Sequence, residues 1–265
     1  MKPKQSLQSI VDPFVKGIGG ELVSELIGNN NPPSSADYLF RDHNVIAELK
    51  ALENDSFGEP YRAKLGNLIA DWHRRGLLLV YGTQRINIRQ LSPVCQKEWL
   101  DVIGRPLQKN VLAAANSQIR KTKELLKLPS AKGLLWVASD GNEDLQPNDV
   151  WIMMCRLLQK TREGGTPQHS NIHALAYFSP RMLVELPDSR RPAQFWFSGA
   201  RQPDDQEMLA FLQLLSDAWP KYVARAQGTE VERVGRKATP AELLESLRFF
   251  GVPPRMLRIR MKTSQ

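Results

Sequence analysis

Residues 37–50, Asp37-Tyr-Leu-Phe-Arg-Asp-His-Asn-Val-Ile-Ala-Glu48-Leu-Lys50, place two acids and a lysine in a pattern of two short strands joined by a tight turn. With Asp42 and His43 as a two-residue loop, Arg41 faces Asn44, and Asp37 falls directly opposite Glu48. Such partners lie about 5 Å apart at Cβ, where like charges repel. Lys50, two residues beyond Glu48, points to the same face because strand side chains alternate. Two carboxylates on one patch make each other costly to ionise, and a divalent cation between them removes that cost. Hard oxygen ligands suit Mg²⁺, with Mn²⁺ as a substitute. The spacing predicts a catalytic metal site.

Several elements must position these residues. Ile10, Val11, Phe14, Val15, Ile18, Leu22 and Leu26 recur at helical spacing over residues 6–27, with Gly19-Gly20 as a point where the helix kinks or restarts. Asn29-Asn-Asn-Pro-Pro-Ser-Ser is a turn-rich break before the hairpin. The second strand alternates: Val45, Ala47, Leu49 and Ala51 face one way, and Ile46, Glu48, Lys50 and Leu52 the other. Residues 53–60 read as a polar loop, 61–75 as a helix and 77–81 as a short apolar run. A helix is predicted from about Asn110 to Leu126, with Val111, Ala115, Gln118, Thr122 and Leu125 on one face. Residues 132–138 read as a buried strand, Pro147 opens a further helix, and 172–178 and 193–197 read as strands. Residues 207–226 and 240–249 read as helices. This order predicts an α/β fold with a mixed central β-sheet flanked by helices.

The chain has 265 residues, 42% hydrophobic and 24% charged, enough to bury a full core and unlike a disordered chain. A net charge of +8 favours a polyanionic partner, nucleic acid first. The basic residues gather at the C-terminus in Arg248, Arg255, Arg258, Arg260 and Lys262, either a solvated tail or a clamp on phosphates. Two cysteines, Cys95 and Cys155, make no disulfide framework and point to a reducing, cytoplasmic setting. Met1-Lys-Pro-Lys-Gln-Ser lacks the apolar run of a signal peptide, and no stretch is long and apolar enough for a membrane span, so no membrane partner is expected.

An acid, a short gap and then Glu-x-Lys at the end of a hairpin resembles the PD-(D/E)XK nuclease superfamily. Here Ala36-Asp37 stands where the loose family motif often has Pro-Asp, and Ile46-Ala-Glu48-Leu-Lys50 forms the Glu-x-Lys strand. The wider stretch also resembles the family's helix-strand-strand-helix-strand core: Gly19-Gly-Glu-Leu-Val, the hairpin, Gln118-Ile-Arg-Lys-Thr-Lys, then Ala131-Lys-Gly-Leu-Leu-Trp-Val. The resemblance covers roughly residues 10–140 and implies a restriction-endonuclease-like core. The domains expected are a nuclease-like unit over 1–200, with a helical insertion at about 53–105, and a C-terminal helical extension with a basic tail over 201–265. The implied activity is Mg²⁺-dependent hydrolysis of phosphodiester bonds, most simply in DNA. Asp37, Glu48 and the Leu49 carbonyl would hold the metal, and Lys50 would orient or deprotonate the attacking water or steady the charged transition state. Family members often add a glutamate from the first helix, which implies Glu21, with Glu25 one turn later as the alternative. Many also use a polar residue of the second core helix, which implies Gln118 in a supporting role.

Two other readings stand beside this one. The chain is a nuclease-fold binding module that holds nucleic acid in a larger complex without cutting it, or the acid and lysine cluster is purely structural. Two carboxylates on opposite sheet faces would mark the structural reading. Cys155, His169 and His173 lack a fourth ligand at zinc spacing, so they read as packing residues. His43 belongs to the turn, Gly164-Gly165 lacks the Lys-Ser/Thr of a P-loop, and no Gly-x-Ser-x-Gly occurs. The six tryptophans sit at core-like positions. No sequence-reading domain is visible, and a homodimer is left open because two-fold assembly suits cutting two antiparallel strands.

Overall fold

Residues 6–28, 34–52, 59–79, 91–139, 147–180, 184–185, 192–226, 230–232 and 255–260 are described by the computed structural model. Helix α1 (Leu7–Gly17) starts at Ser6, whose hydroxyl accepts the Ser9 amide at 3.2 Å, and buries Val11, Phe14 and Val15. It ends where Gly19 turns to φ 82°, and the Gly20 amide folds back onto the Val15 carbonyl at 2.9 Å. A side chain at Gly20 would collide with Val15, and its Cβ would lie 2.7 Å from Phe40 Cε1. The chain therefore leaves the helix here as β1 (Glu21–Leu22) and re-enters one as α2 (Val23–Ile27). The helical pattern over 6–27, expected to kink or restart at Gly19-Gly20, restarts there with a short strand between the two helices, because the glycine pair lets the backbone lie against Phe40.

Strands β2 (Tyr38–Phe40) and β3 (Val45–Leu52) pair antiparallel, with Tyr38 opposite Ala47, Leu39 opposite Ile46 and Phe40 opposite Val45. This is the register read from the sequence. The connection is a 3-10 turn, Arg41–His43, closed by the Asn44 amide on the Arg41 carbonyl at 3.0 Å, with Asn44 left-handed at φ 50°. Asn tolerates that conformation better than most residues. Its carbonyl accepts the Lys132 amide at 2.8 Å, so the hairpin tip also starts the next ladder.

The sheet is mixed. β3 runs parallel to β4 (Lys132–Ser139), which runs parallel to β5 (Ala174–Phe178). Antiparallel neighbours follow: β7 (Pro192–Ala200) beside β5, β6 (Val184–Glu185) on β7, and then β9 (Arg255–Arg260) and β8 (Glu230–Glu232). The expected basic tail is thus, over 255–260, a strand hydrogen-bonded to β7. The helix expected at 240–249 lies outside the described residues, as do residues 80 and 81 of the apolar run.

Helices cover both faces. α3 (Glu59–Arg74), α4 (Pro93–Pro106), α5 (Ala114–Leu125) and α6 (Pro147–Leu158) share one core with Ile46, Leu52, Leu135, Val137, Leu175 and Tyr177. α1 and α7 (Gln206–Ala226) share the other with Val45, Ala47, Leu49, Leu134, Trp136 and Phe178. Trp72, Trp99, Trp136, Trp196 and Trp219 are buried, as core-like spacing implied. Among the described residues no helix is long and apolar enough to cross a membrane.

The helix expected from Asn110 begins much earlier. α4 runs through a π-helical segment, Leu107–Ala113, into α5 without a break. Pro106 explains the change: it has no amide to donate and its ring crowds the preceding turn, so the α ladder cannot continue unaltered. The wider turn shifts the phase of α5 relative to α4. Within α5 the packing face is Ala115, Ile119 and Thr122, and Leu125, expected on that face, falls about 80° from Ala115 at about 100° per residue and is 44% exposed.

Candidate metal centre

The hairpin register carries Asp37, one residue before β2, opposite Glu48 in β3. The ladder's hydrogen bonds fall on the odd residues of β3, so Asp37 and Glu48 form a non-hydrogen-bonded pair, the closer kind. Both carboxylates lie on the face that carries Ile46 and Leu52, against α5. The structural reading that would place them on opposite faces does not fit this geometry.

Each group is held by a different partner. Asp37 Oδ2 accepts the Leu49 amide at 2.8 Å. Glu48 Oε1 meets Lys50 Nζ at 2.6 Å, and its side chain is 2% exposed. Lys50 Nζ also donates to Gln118 Oε1 at 2.7 Å, and Gln118 Nε2 donates to the Ser35 carbonyl at 3.2 Å. Gln118 is thus a bridge from α5 to both the lysine and the segment leading into Asp37. The remaining Glu48 oxygen, Oε2, is buried with no hydrogen-bond donor on it. Burial first, and the Asp37 charge second, push the Glu48 carboxyl up to about 8, against the pull of Lys50. Burial also raises Asp37, opposed by the Leu49 amide and Lys50. The two carboxyls act on each other in opposite senses: the Asp37 charge helps to raise Glu48, while the Glu48 carboxyl pulls Asp37 down.

The backbone adds a further oxygen. In a strand the N–H and C=O of one residue point to the same neighbour. The Leu49 amide points to Asp37, so its carbonyl is aimed at the same side. Its ladder donor there would be the Ala36 amide, which goes instead to Thr122 Oγ1 at 2.7 Å. The centre therefore offers a buried carboxylate oxygen without a donor, a second carboxylate and a carbonyl outside the ladder. This hard oxygen set fits Mg²⁺ or Mn²⁺.

Glu21 is not brought to this cluster. It lies on β1, not on the first helix, opposite Leu39, and its carboxylate takes Arg41 Nε at 2.9 Å and Nη2 at 3.3 Å. Glu25, in α2, pairs with Lys16 at 2.6 Å. Among the described residues no third His, Cys, Asp or Glu joins Asp37 and Glu48. Cys155 is buried, and burial lifts its thiol well above the usual range. His173 is lowered to about 4 by burial and Lys123, and its Nδ1 lies 2.9 Å from the Gly133 amide.

Sequence reasoning placed Thr122 on the packing face of its helix but gave it no role. The signal was available: a hydroxyl one turn beyond Gln118 on an apolar face needs a partner. Comparison with protein-family models, curated proteins and solved structures returns no match for this chain.

Proposed function

We propose that this chain is a Mg²⁺-dependent endonuclease with a restriction-endonuclease-like core, hydrolysing phosphodiester bonds in DNA. The observation that carries this reading is the pair of half-buried Asp37 and buried Glu48, with a Glu48 oxygen lacking any donor and a lysine 2.6 Å away. The succession α1, β2, β3, α5, β4 supports it, being the helix-strand-strand-helix-strand order of the PD-(D/E)XK nucleases that the sequence resembles. The net charge of +8 supports a polyanionic substrate.

In this reading Asp37, Glu48 and the Leu49 carbonyl would hold the ion. When bound, the ion would supply Lewis acidity that makes water a better nucleophile and offsets charge building on the phosphate. Lys50 would orient the attacking water or donate to the phosphoryl oxygens as their charge grows. Gln118 fixes Lys50 from the other side and so limits its swing. Water adds to phosphorus, the bond to one ester oxygen breaks, and the leaving oxygen takes up a proton.

A second reading is favoured by one observation. Among the described residues the acids gathered at this centre number two, and one is already paired with Lys50. A chain that binds nucleic acid without cutting it needs no more than this. Digestion of single- and double-stranded DNA and RNA with Mg²⁺, Mn²⁺ or EDTA separates the two. The expected result is metal-dependent cleavage of DNA that falls by at least ~10²-fold in Lys50→Ala and in Glu48→Ala. Binding without cleavage under all conditions selects the second reading, and full activity in either variant removes the assignment.

A further inference from the structure

The segment Ser34 to Ala36 is held by α5 at every residue. Lys121 Nζ donates to Ser34 Oγ at 2.9 Å, Gln118 Nε2 to the Ser35 carbonyl at 3.2 Å, and Thr122 Oγ1 accepts the Ala36 amide at 2.7 Å. The three side chains sit at i, i+3 and i+4, one face of a helix. They are unequal. Lys121 is exposed, whereas Thr122 is completely buried and its bond to Ala36 is a buried one.

The Thr122 bond has a consequence for the strand next door. If β2 continued two residues back, Ala36 would oppose Leu49 and its amide would close the ladder on the Leu49 carbonyl. Thr122 takes that amide away. The chain peels from β3 before Asp37, and the Asp37 side chain, in place of the Ala36 carbonyl, reaches the Leu49 amide at 2.8 Å. One hydroxyl thus leaves two groups facing the cluster, the Asp37 carboxylate and the Leu49 carbonyl.

We infer that Thr122 is a positioning residue for divalent-cation binding: by drawing the Ala36 amide out of the ladder, it sets Asp37 and frees the Leu49 carbonyl as ligands. The inference rests on the metal site proposed above. In Thr122→Val the shape is kept and the acceptor lost, so the Ala36 amide is free to return to the Leu49 carbonyl and close the site. Thr122→Ser keeps the hydroxyl. Partners that orient metal ligands typically cost about 10- to 100-fold in metal affinity when removed.

The experiment is thermal melting and calorimetric titration of the full chain with Mn²⁺ and with Mg²⁺, without substrate. Wild type and Thr122→Ser are expected to bind and to melt higher with the metal. Thr122→Val is expected to bind about 10- to 100-fold more weakly and to lose the metal-induced shift. A purely structural threonine would lower the melting temperature equally with and without metal, and equal shifts in Thr122→Val and wild type overturn the inference. If wild type itself binds neither ion, the metal site fails, and the inference falls with it. Should Thr122→Val not fold, Thr122→Ala, which removes the same acceptor without placing a second methyl there, decides by the same readouts. An affinity lowered about 10- to 100-fold supports the inference, and wild-type affinity overturns it.

Discussion

The two faces of β3 use the same eight residues to opposite ends. Val45, Ala47 and Leu49 face an aromatic layer in which Phe14 meets Trp219 edge-on at 5.0 Å, Phe178 meets Trp219 at 4.9 Å and Trp136 meets Trp196 at 5.9 Å. On the other face, Glu48 and Lys50 sit between Ile46 and Leu52, with α5 over them. The apolar face gains from burial, about 25 cal/mol per Å² of surface removed from water, against the cost of the Trp136, Trp196 and Trp219 indole N–H groups left without hydrogen-bond partners. The charged face does not. Its Glu48 carboxyl is buried against its preference, and each of its contacts is a specific hydrogen bond or ion pair. Under the proposed function, stability and chemistry are divided across one strand, and a change on one face has a different signature from a change on the other.

The sharpest separation comes from removing bulk on the apolar face. Trp136→Ala takes the central ring from contacts with Phe14, Tyr38, Phe178, Trp196 and Trp219. It is expected to cost about 3–5 kcal/mol in chemical denaturation, with metal affinity of the remaining folded protein unchanged. A loss of metal binding in the folded fraction would mean the faces are coupled.

A smaller effect belongs to the charged face and to pH. Glu48 holds its proton up to about 8 when folded, against an ordinary value near 4.5. Between those values the folded chain binds a proton that the unfolded chain has released. Stability therefore falls as pH rises through that window, by at most about 1.4 kcal/mol per pH unit for one proton, and is level outside it. Melting curves in EDTA should show this slope, and Glu48→Gln should flatten it. A wild-type profile that rises from pH 5 to 8 would contradict the burial of an unneutralised pair.

The smallest effect is expected at Glu21. Paired with Arg41 at the surface, Glu21→Gln should leave both the melting temperature and DNA cleavage as in wild type. Abolished cleavage would extend the charged face to β1.

What the sequence revealed and what it concealed have physical reasons. The hairpin register followed from alternation and a turn of defined length, both local properties, and β3 was bounded correctly from Val45 to Leu52. Gln118 was legible because an amide on an apolar helix face demands a partner, and it has two. Glu21 was misplaced because helical spacing continued through Gly19-Gly20, whereas the fit of Gly20 against Phe40 depends on a residue twenty positions away. The strand at 255–260 was hidden for a similar reason: its alternation is short and its partner, β7, is distant in sequence. The exchange of the Ala36 amide from strand to helix is a tertiary event with no local signature beyond the hydroxyl of Thr122.

The π-helical segment after Pro106 carries a consequence for how this chain tolerates insertions and deletions. Each residue in an α-helix advances the azimuth by about 100°, and a π turn holds more residues than an α turn. The segment therefore acts as a phase adjuster between α4, which packs by Cys95 and Trp99, and α5, which must present Gln118, Lys121 and Thr122 together. Length within residues 107–113 sets an angle, and that angle decides whether the Asp37 segment meets its hydroxyl or a patch of methyl groups.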